Sequence, residues 1–205
     1  CQEYEAGSLN EQDMNSDPLK EFSFWMNEAI EAGLTEPNAM IVATSTAGGK
    51  PSARVLLLKE FNYEGFVFFT NYKSRKGKEL TENPFAALVF DWHDIERQVR
   101  VEGSVELLKE EDSDEYFNVR PENAKIGAWA SPQSKIIKDR NELELLEKEI
   151  EGQFEDIPLH RPKFWGGYLV RPSVIEFWQG RPNRMHDRIV YIKTEEGWTM
   201  HRLAP

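Results

Sequence analysis

Between Ala39 and Leu108 the chain alternates short β-prone runs with tight turns, and this alternation restricts the fold more than any other feature. Ala39 to Ser45, Arg54 to Glu60, Phe66 to Asn71, Phe85 to Trp92 and Gln98 to Leu108 are the runs. Gly48-Gly49 and Asn62-Tyr63-Glu64-Gly65 separate the first three. Such spacing predicts a meander of antiparallel strands. Three more runs close the chain: Gly166 to Phe177, Arg188 to Lys193 and Trp198 to Leu203, the last two joined by a Glu195-Glu196-Gly197 turn. Helical patterns lie around this β framework. Ser16-Asp17-Pro18 starts a helix whose inner face carries Leu19, Phe22, Met26, Ala29 and Ile30, with Gly33 at its end. A short helix opens at Lys73 to Lys78 and stops before Pro84; Glu110 to Val119, Glu122 to Trp129 and Arg140 to Phe154 follow. The last turns Leu143, Leu146, Ile150 and Phe154 inward and exposes the seven acids between Glu142 and Asp156, a solvated face. The fold class is mainly β with peripheral helices, a barrel. Residues 1–15 are polar and aperiodic and read as an arm, and 16–205 as a single domain.

Composition narrows the partners. A net charge of −11 argues against nucleic acid or an anionic membrane as the main partner, since both require a basic footprint. Any anionic ligand must be held by a local group of cations. The single cysteine, Cys1, allows no intramolecular disulfide. No apolar run approaches the roughly 18 residues of a membrane span. A cytoplasmic location is expected, although the chain does not begin with Met and a trimmed targeting segment remains compatible with it.

Familiar catalytic motifs are missing. There is no Gly-x-Gly-x-x-Gly, no phosphate-binding P-loop and no Gly-x-Ser-x-Gly elbow. The histidines at 93, 160, 186 and 201 lack metal-ligand spacing, so no metal is expected. What the chain does carry is a series of cation-rich segments. Arg54-Val55-Leu56-Leu57-Leu58-Lys59 reads as a buried strand bracketed by two cations. Ser74-Arg75-Lys76 lies at a helix start, where free N–H groups favour phosphate. In Arg97 to Gly103 the alternation sends Gln98, Arg100 and Glu102 to one face. Tyr116 and Arg120 are one helical turn apart and so side by side. Each alone could be a surface salt-bridge set; together they offer cations for two phosphate groups.

The densest segment runs from Glu176 to Arg188 and holds Arg181, Arg184, Arg188, His186, Asp187 and Trp178. A hairpin connection is usually a short Gly/Asn/Asp turn. This one, with its guanidiniums, imidazole and indole, suits a flat, anionic, heteroaromatic ligand.

These segments, with Gln133-Ser134, Trp165-Gly166-Gly167 and the closing Arg202-Leu203-Ala204-Pro205, resemble the pyridoxine (pyridoxamine) 5′-phosphate oxidase family from about Tyr4 to the last residue. The ending suggests a native C-terminus. The resemblance implies an FMN-binding split β-barrel that works as a homodimer, with FMN at the subunit interface. It implies oxidation of pyridoxine or pyridoxamine 5′-phosphate at C4′ to pyridoxal 5′-phosphate, a step of vitamin B6 salvage. Flavin N5 receives the hydride and O₂ is reduced to H₂O₂. By the same resemblance, Arg54, Val55, Leu56, Leu57, Leu58, Lys59, Phe69, Thr70, Arg75, Lys76, Gln98, Gln133, Ser134, Trp178 and Arg188 hold FMN. Arg75, Lys76 and Ser134 take its phosphate and Gln98 meets the ring. Lys59, Tyr116 and Arg120 bind the substrate phosphate. Arg184 and His186 face the pyridine ring as catalytic residues, and Tyr4 belongs to a lid formed by the arm.

Three positions depart from the family pattern. Ala124 stands where a serine usually helps to bind the substrate phosphate. Cys1-Gln2-Glu3-Tyr4 occupies a place usually rich in arginine. Met185 replaces leucine. Other readings stay open: His186 as a structural histidine tied to Asp187, Trp178 as a core residue, and the whole chain as a flavin oxidase with another substrate. A non-catalytic flavin- or haem-binding barrel, or a vitamin carrier, is a further alternative.

Overall fold

The computed structural model describes residues 3–205 of the chain; the departure noted at Cys1 and Gln2 lies outside the described residues. Strands β1 (Ala39–Ser45), β2 (Pro51–Leu57), β3 (Glu60–Asn62), β4 (Gly65–Asn71), β5 (Phe85–Trp92), β6 (Arg97–Leu107), β7 (Trp165–Gln179), β8 (Asp187–Thr194) and β9 (Gly197–Leu203) make one antiparallel sheet. Helices α1 (Pro18–Glu31), α2 (Arg75–Glu82), α3 (Glu110–Val119), α4 (Glu122–Ala130) and α5 (Arg140–Gln153) surround it. No helix among the described residues is long and apolar enough to cross a membrane.

The main path through the sheet is β2-β1-β5-β6-β7-β4-β3, and β8 and β9 extend it from β7. β7 organises this arrangement. On one side it pairs with β6 along its length; on the other its first half pairs with β4 and its second half with β8. The partner changes around Arg171-Pro172-Ser173, where the β6 register shifts between Glu102 and Gly103. Gly103 is required there, because a Cβ would lie 2.1 Å from the Arg171 carbonyl oxygen. At this bulge β7 passes from β4 to β8 as its second neighbour.

The concave side is filled by α1. Asp17 caps the helix by accepting the Leu19 N–H at 2.9 Å, and Pro18 occupies its first turn. Phe22 lies 4.9–6.0 Å from the rings of Phe61, Phe66, Phe90 and Trp92, and Trp25 meets Phe177 at 5.0 Å. The expected inner face of α1 holds at Leu19, Phe22, Met26 and Ala29 but not at Ile30, which is 56% exposed. Trp25 is buried instead, because the curled sheet wraps more of the helix than a narrow stripe.

Arg54 to Glu60 is not one buried strand. β2 is an edge strand, so Val55 is 65% exposed, and the strand ends at Leu57 before Lys59, which is itself exposed. Val55 pairs with Ile41 in register, and Ile41 is also open, at 39%. Val55 and Ile41 therefore form an exposed apolar patch on the β1–β2 edge.

Candidate active site

One end of β7 borders two cavities lined by cations and aromatic rings. Pro121 forces Arg120 into extended backbone (φ −69°, ψ 150°) and ends α3 at Val119. Tyr116 and Arg120 are thus not neighbours on a helix face, contrary to expectation. They meet instead at a cavity of about 320 Å³, lined also by Lys59, Phe69, Ala124 and Trp165. A second cavity of about 300 Å³ shares Arg120, Ala124 and Trp165 and extends to Asn71, Ser131 and Gln133. Phe69 stacks on Tyr116 at 3.9 Å, and both rings lie nearly parallel to Trp165. The Arg120 guanidinium sits 4.4 Å from the Trp165 ring centre. Among the described residues, Nη1 of Arg120 is buried without a hydrogen-bond partner. Burial pulls the Arg120 pKa below its ordinary value, with Tyr116 opposing the shift. An unpaired charged donor in such a place is costly, and an anion in the cavity would satisfy it.

The neighbouring cations are held differently. Ser74 caps α2 by accepting the Gly77 N–H at 3.3 Å. Lys76 turns inward, and its Nζ donates to Thr70 Oγ1 at 3.0 Å and Ser74 Oγ at 3.4 Å. Burial, and then the positive charge of Arg54, bring its pKa down to about 8. Thr70 in turn donates to Gln133 Oε1 at 3.3 Å, which links Lys76 to the second cavity. Arg75 faces solvent and is braced by Glu79 at 2.9 Å. Arg54 donates to the Val42 carbonyl and Thr44 Oγ1 and lies 3.6 Å from Glu79. Burial raises the Glu79 pKa, but donation from Ser52, Thr44 and Arg75 outweighs it and brings the carboxyl to about 2. Ser134 is exposed in left-handed backbone, φ 70°.

The other end of β7 carries an aromatic–imidazole cluster beside buried ion pairs. Gln98, Trp178 and Arg188 are cross-strand partners on β6, β7 and β8 and form one row on one face. Glu176, buried on that face, takes Arg188 in a two-pronged pair at 2.7 and 3.1 Å and Arg100 at 3.5 Å. His186 Nδ1 accepts the Arg181 N–H at 3.1 Å, and its ring lies 4.8 Å from Trp178. Asp187 is engaged by Arg202, Arg181 and the Leu9 N–H rather than by His186. Asn183 and Arg184 both have positive φ, 56° and 60°, a strained pair in the turn before β8.

Tyr4 packs edge-on against Trp178 at 5.8 Å and His186 at 5.6 Å. Gly180 lies beneath it, where a Cβ would come within 2.7 Å of Tyr4 Cγ. The arm is tied down by Ala6 N–H to Glu96, Arg181 to the Gly7 carbonyl, and Arg202 to the Leu9 carbonyl and Glu11.

Most of the expected site residues therefore fall into two groups, while Arg54 to Leu58 lie on or just after edge strand β2 and Arg75 and Ser134 face solvent. Lys59, Phe69, Thr70, Lys76, Tyr116, Arg120 and Gln133 gather at one end; Tyr4, Gln98, Trp178, Arg184, His186 and Arg188 gather at the other. Trp165 and Trp178 stand near opposite ends of a 15-residue strand, roughly 40 Å apart along its path. Sequence reasoning gave no role to Trp165, Glu79 or Glu176. Glu79 was legible as a carboxylate four residues after Arg75, and Glu176 as a residue on the Trp178 face; nothing in the pattern pointed Trp165 at Arg120.

A bulged β framework, with cation-lined cavities at one end and an aromatic–imidazole group at the other, has the architecture of the split-barrel oxidoreductases. Residues 26–154 match the pyridoxamine 5′-phosphate oxidase family, and residues 165–205 match the pyridoxine 5′-phosphate oxidase C-terminal dimerisation region. The chain belongs to this family of oxidoreductases. It is 52% identical over 203 residues to a pyridoxine/pyridoxamine 5′-phosphate oxidase of Rubrobacter xylanophilus, covering 99% of this chain and 94% of the relative. A Cyanothece protein of the same name is 51% identical, with 99% and 95% covered. Among solved structures, PhzG from Burkholderia lata, in complex with tetrahydrophenazine-1-carboxylic acid, superposes with a TM-score of 0.89 at 30% identity, covering 96% of this chain and 98% of that one. A pyridoxamine 5′-phosphate oxidase-related, FMN-binding protein of Nostoc punctiforme shares the fold, with a TM-score of 0.71 at 16% identity, over 90% of this chain and 97% of that one.

Proposed function

We propose that the protein is an FMN-dependent oxidase that converts pyridoxine 5′-phosphate and pyridoxamine 5′-phosphate to pyridoxal 5′-phosphate. The observation that carries this reading is the uncommitted buried Nη1 of Arg120 in a cavity shared with Lys59 and Tyr116. Arg120, Lys59 and Tyr116 together suit a phosphate monoester, which presents nearly two negative charges. When bound, FMN would supply the redox chemistry by accepting a hydride from C4′ and passing the electrons to O₂ as H₂O₂; the alcohol would give up its hydroxyl proton, and the imine formed from the amine would be hydrolysed by water with release of ammonia.

The donor set fits that cofactor. Lys76, in contact with hydroxyls rather than a carboxylate, and Arg75 and Ser134 nearby would hold its phosphate, with Gln133 and Thr70 alongside. Arg54 to Lys59 and Phe69 would border it. Gln98, Trp178 and Arg188 would meet its ring side. The separation of the two ends along β7 supports a homodimer, in which the phosphate end of one protomer faces the ring end of its partner. The open Val55–Ile41 face and the match to a dimerisation region support it too.

At the ring end, Arg184 orients C4′ and stabilises charge that develops there. His186 donates to the pyridine's phenolic oxygen. Because Nδ1 accepts a backbone N–H, the neutral ring carries its proton on Nε2, so it acts as a donor rather than as a base. Tyr4 and the arm cover the ring and exclude water.

The test is anaerobic. Pyridoxine 5′-phosphate added to the FMN-loaded protein is expected to bleach the flavin absorbance, and air to restore it. A second reading, an oxidase for an unphosphorylated heteroaromatic acid, draws on Ala124 and on the likeness to PhzG. Bleaching by such acids and not by the phosphorylated vitamers would establish it. Flavin that binds but never bleaches would leave only a binding module.

A further inference from the structure

Arg120 differs from the other arginines around it in what holds it. Arg54 has Glu79 and Arg161 has Asp114. Arg120 has the Trp165 ring at 4.4 Å. The difference has a chemical consequence. A carboxylate fixes a guanidinium by occupying its N–H groups and cancelling its charge. An aromatic face attracts the flat side of the cation and leaves the in-plane donors and the charge available.

Trp165 is itself immobilised. Its N–H donates to the Pro162 carbonyl at 3.0 Å, and its carbonyl accepts from Arg161 Nη1 at 2.7 Å. Arg161 Nε binds Asp114 at 2.6 Å, which fastens the start of β7 to α3, the helix that carries Tyr116. Phe117 packs edge-on against the indole at 5.4 Å. The ring is 7% exposed and borders both cavities beside Arg120.

We propose that Trp165 is the positioning residue of the anion cavity: its face holds Arg120 in place with its donors uncommitted, and so sets the preference for phosphorylated over unphosphorylated substrate. The proposal deepens the reading given above and rests on Arg120 as a phosphate ligand.

The experiment uses the FMN-loaded full chain with Trp165→Leu, Trp165→Phe and Arg120→Lys. Steady-state constants are measured for pyridoxamine 5′-phosphate and for pyridoxamine, together with the Ki of inorganic phosphate as a competitor. For Trp165→Leu, KM for the phosphorylated substrate and Ki for phosphate should each rise about tenfold, within the range of a desolvated cation–π contact. The kcat should stay within about twofold, and the ratio of kcat/KM between the two substrates should fall about tenfold. Trp165→Phe, which keeps an aromatic face and the packing, should fall between wild type and Trp165→Leu, and it tests the idea even if the leucine variant fails to fold. An equal loss for both substrates, or an unchanged phosphate Ki, would overturn the proposal and leave Trp165 as packing. If Arg120→Lys also leaves KM and Ki unchanged, the phosphate-cavity reading fails with it.

Discussion

Lys76 gives the sharpest test of where the cofactor phosphate is held. Burial first, and Arg54 second, bring its ammonium from the ordinary 10.5 down to about 8. That gap corresponds to about 3 kcal/mol favouring the neutral amine in the ligand-free fold. Between pH 8 and 10.5 the unfolded chain holds a proton on this lysine that the folded chain has released. The ligand-free protein is therefore relieved of the cost as pH rises through that window. A phosphate dianion beside Nζ reverses the preference and lifts the pKa again. Binding then takes up a proton above pH 8, and affinity falls by up to about tenfold per pH unit. The Kd for FMN, followed by quenching of flavin fluorescence on addition of apoprotein, should rise about tenfold between pH 7 and pH 9. Riboflavin, which lacks the phosphate, should bind more weakly and without this dependence. Lys76→Met should bind FMN weakly with a flat profile. A wild-type Kd that stays level from pH 7 to 9, or a riboflavin profile that falls in parallel, would refute the placement of phosphate at Lys76.

Further outcomes are expected at three positions. Ala124→Ser returns a hydroxyl to both cavities and should lower KM for the phosphorylated substrate about tenfold, the worth of one hydrogen bond to a charged group; an unchanged KM would mean that no hydroxyl is missing there. Arg184→Ala should reduce kcat/KM by about 10²–10³ with FMN affinity nearly intact, as for the loss of one transition-state donor; equal losses would move Arg184 into the flavin site. Glu79→Gln should cost about 3 kcal/mol in urea unfolding at pH 7, because the carboxyl is held near 2 against an ordinary 4.5. The folded pKa is the lower one, so this contribution is present above 4.5 and is lost as pH falls through about 2. Wild-type and Glu79→Gln stabilities that run parallel from pH 7 to pH 3 would contradict it.

Local rules carried most of the fold. β1, β5 and α3 begin and end at the residues the pattern indicates, because turn chemistry, period-two alternation and capping act over a few residues. Failures appear where distant chain decides. Trp25 is buried because a curled sheet wraps α1, and Val55 is open because β2 lies at an edge. Arg120 leaves its helix because Pro121 follows, a local signal that the spacing argument overlooked. The division of the proposed site between the two ends of β7 could not be read from motifs, since a motif does not record which end of a strand its residues occupy.

The cation clusters that stood out against a net charge of −11 are not equivalent once their partners are known. Arg54 and Arg75 lean on Glu79, and Arg100 and Arg188 on Glu176, both carboxylates nearly buried. These arginines are fixed in direction and largely neutralised, so they shape a site more than they charge it. Lys76 and Arg120 are held instead by hydroxyls and by an indole face. Partners of that kind leave a full positive charge inside the protein, and the cost of burying it is recovered only when an anion arrives. One side chain on α2 and one at the end of α3 thus mark the two places we propose for phosphate, and sequence composition alone could not tell them from their paired neighbours.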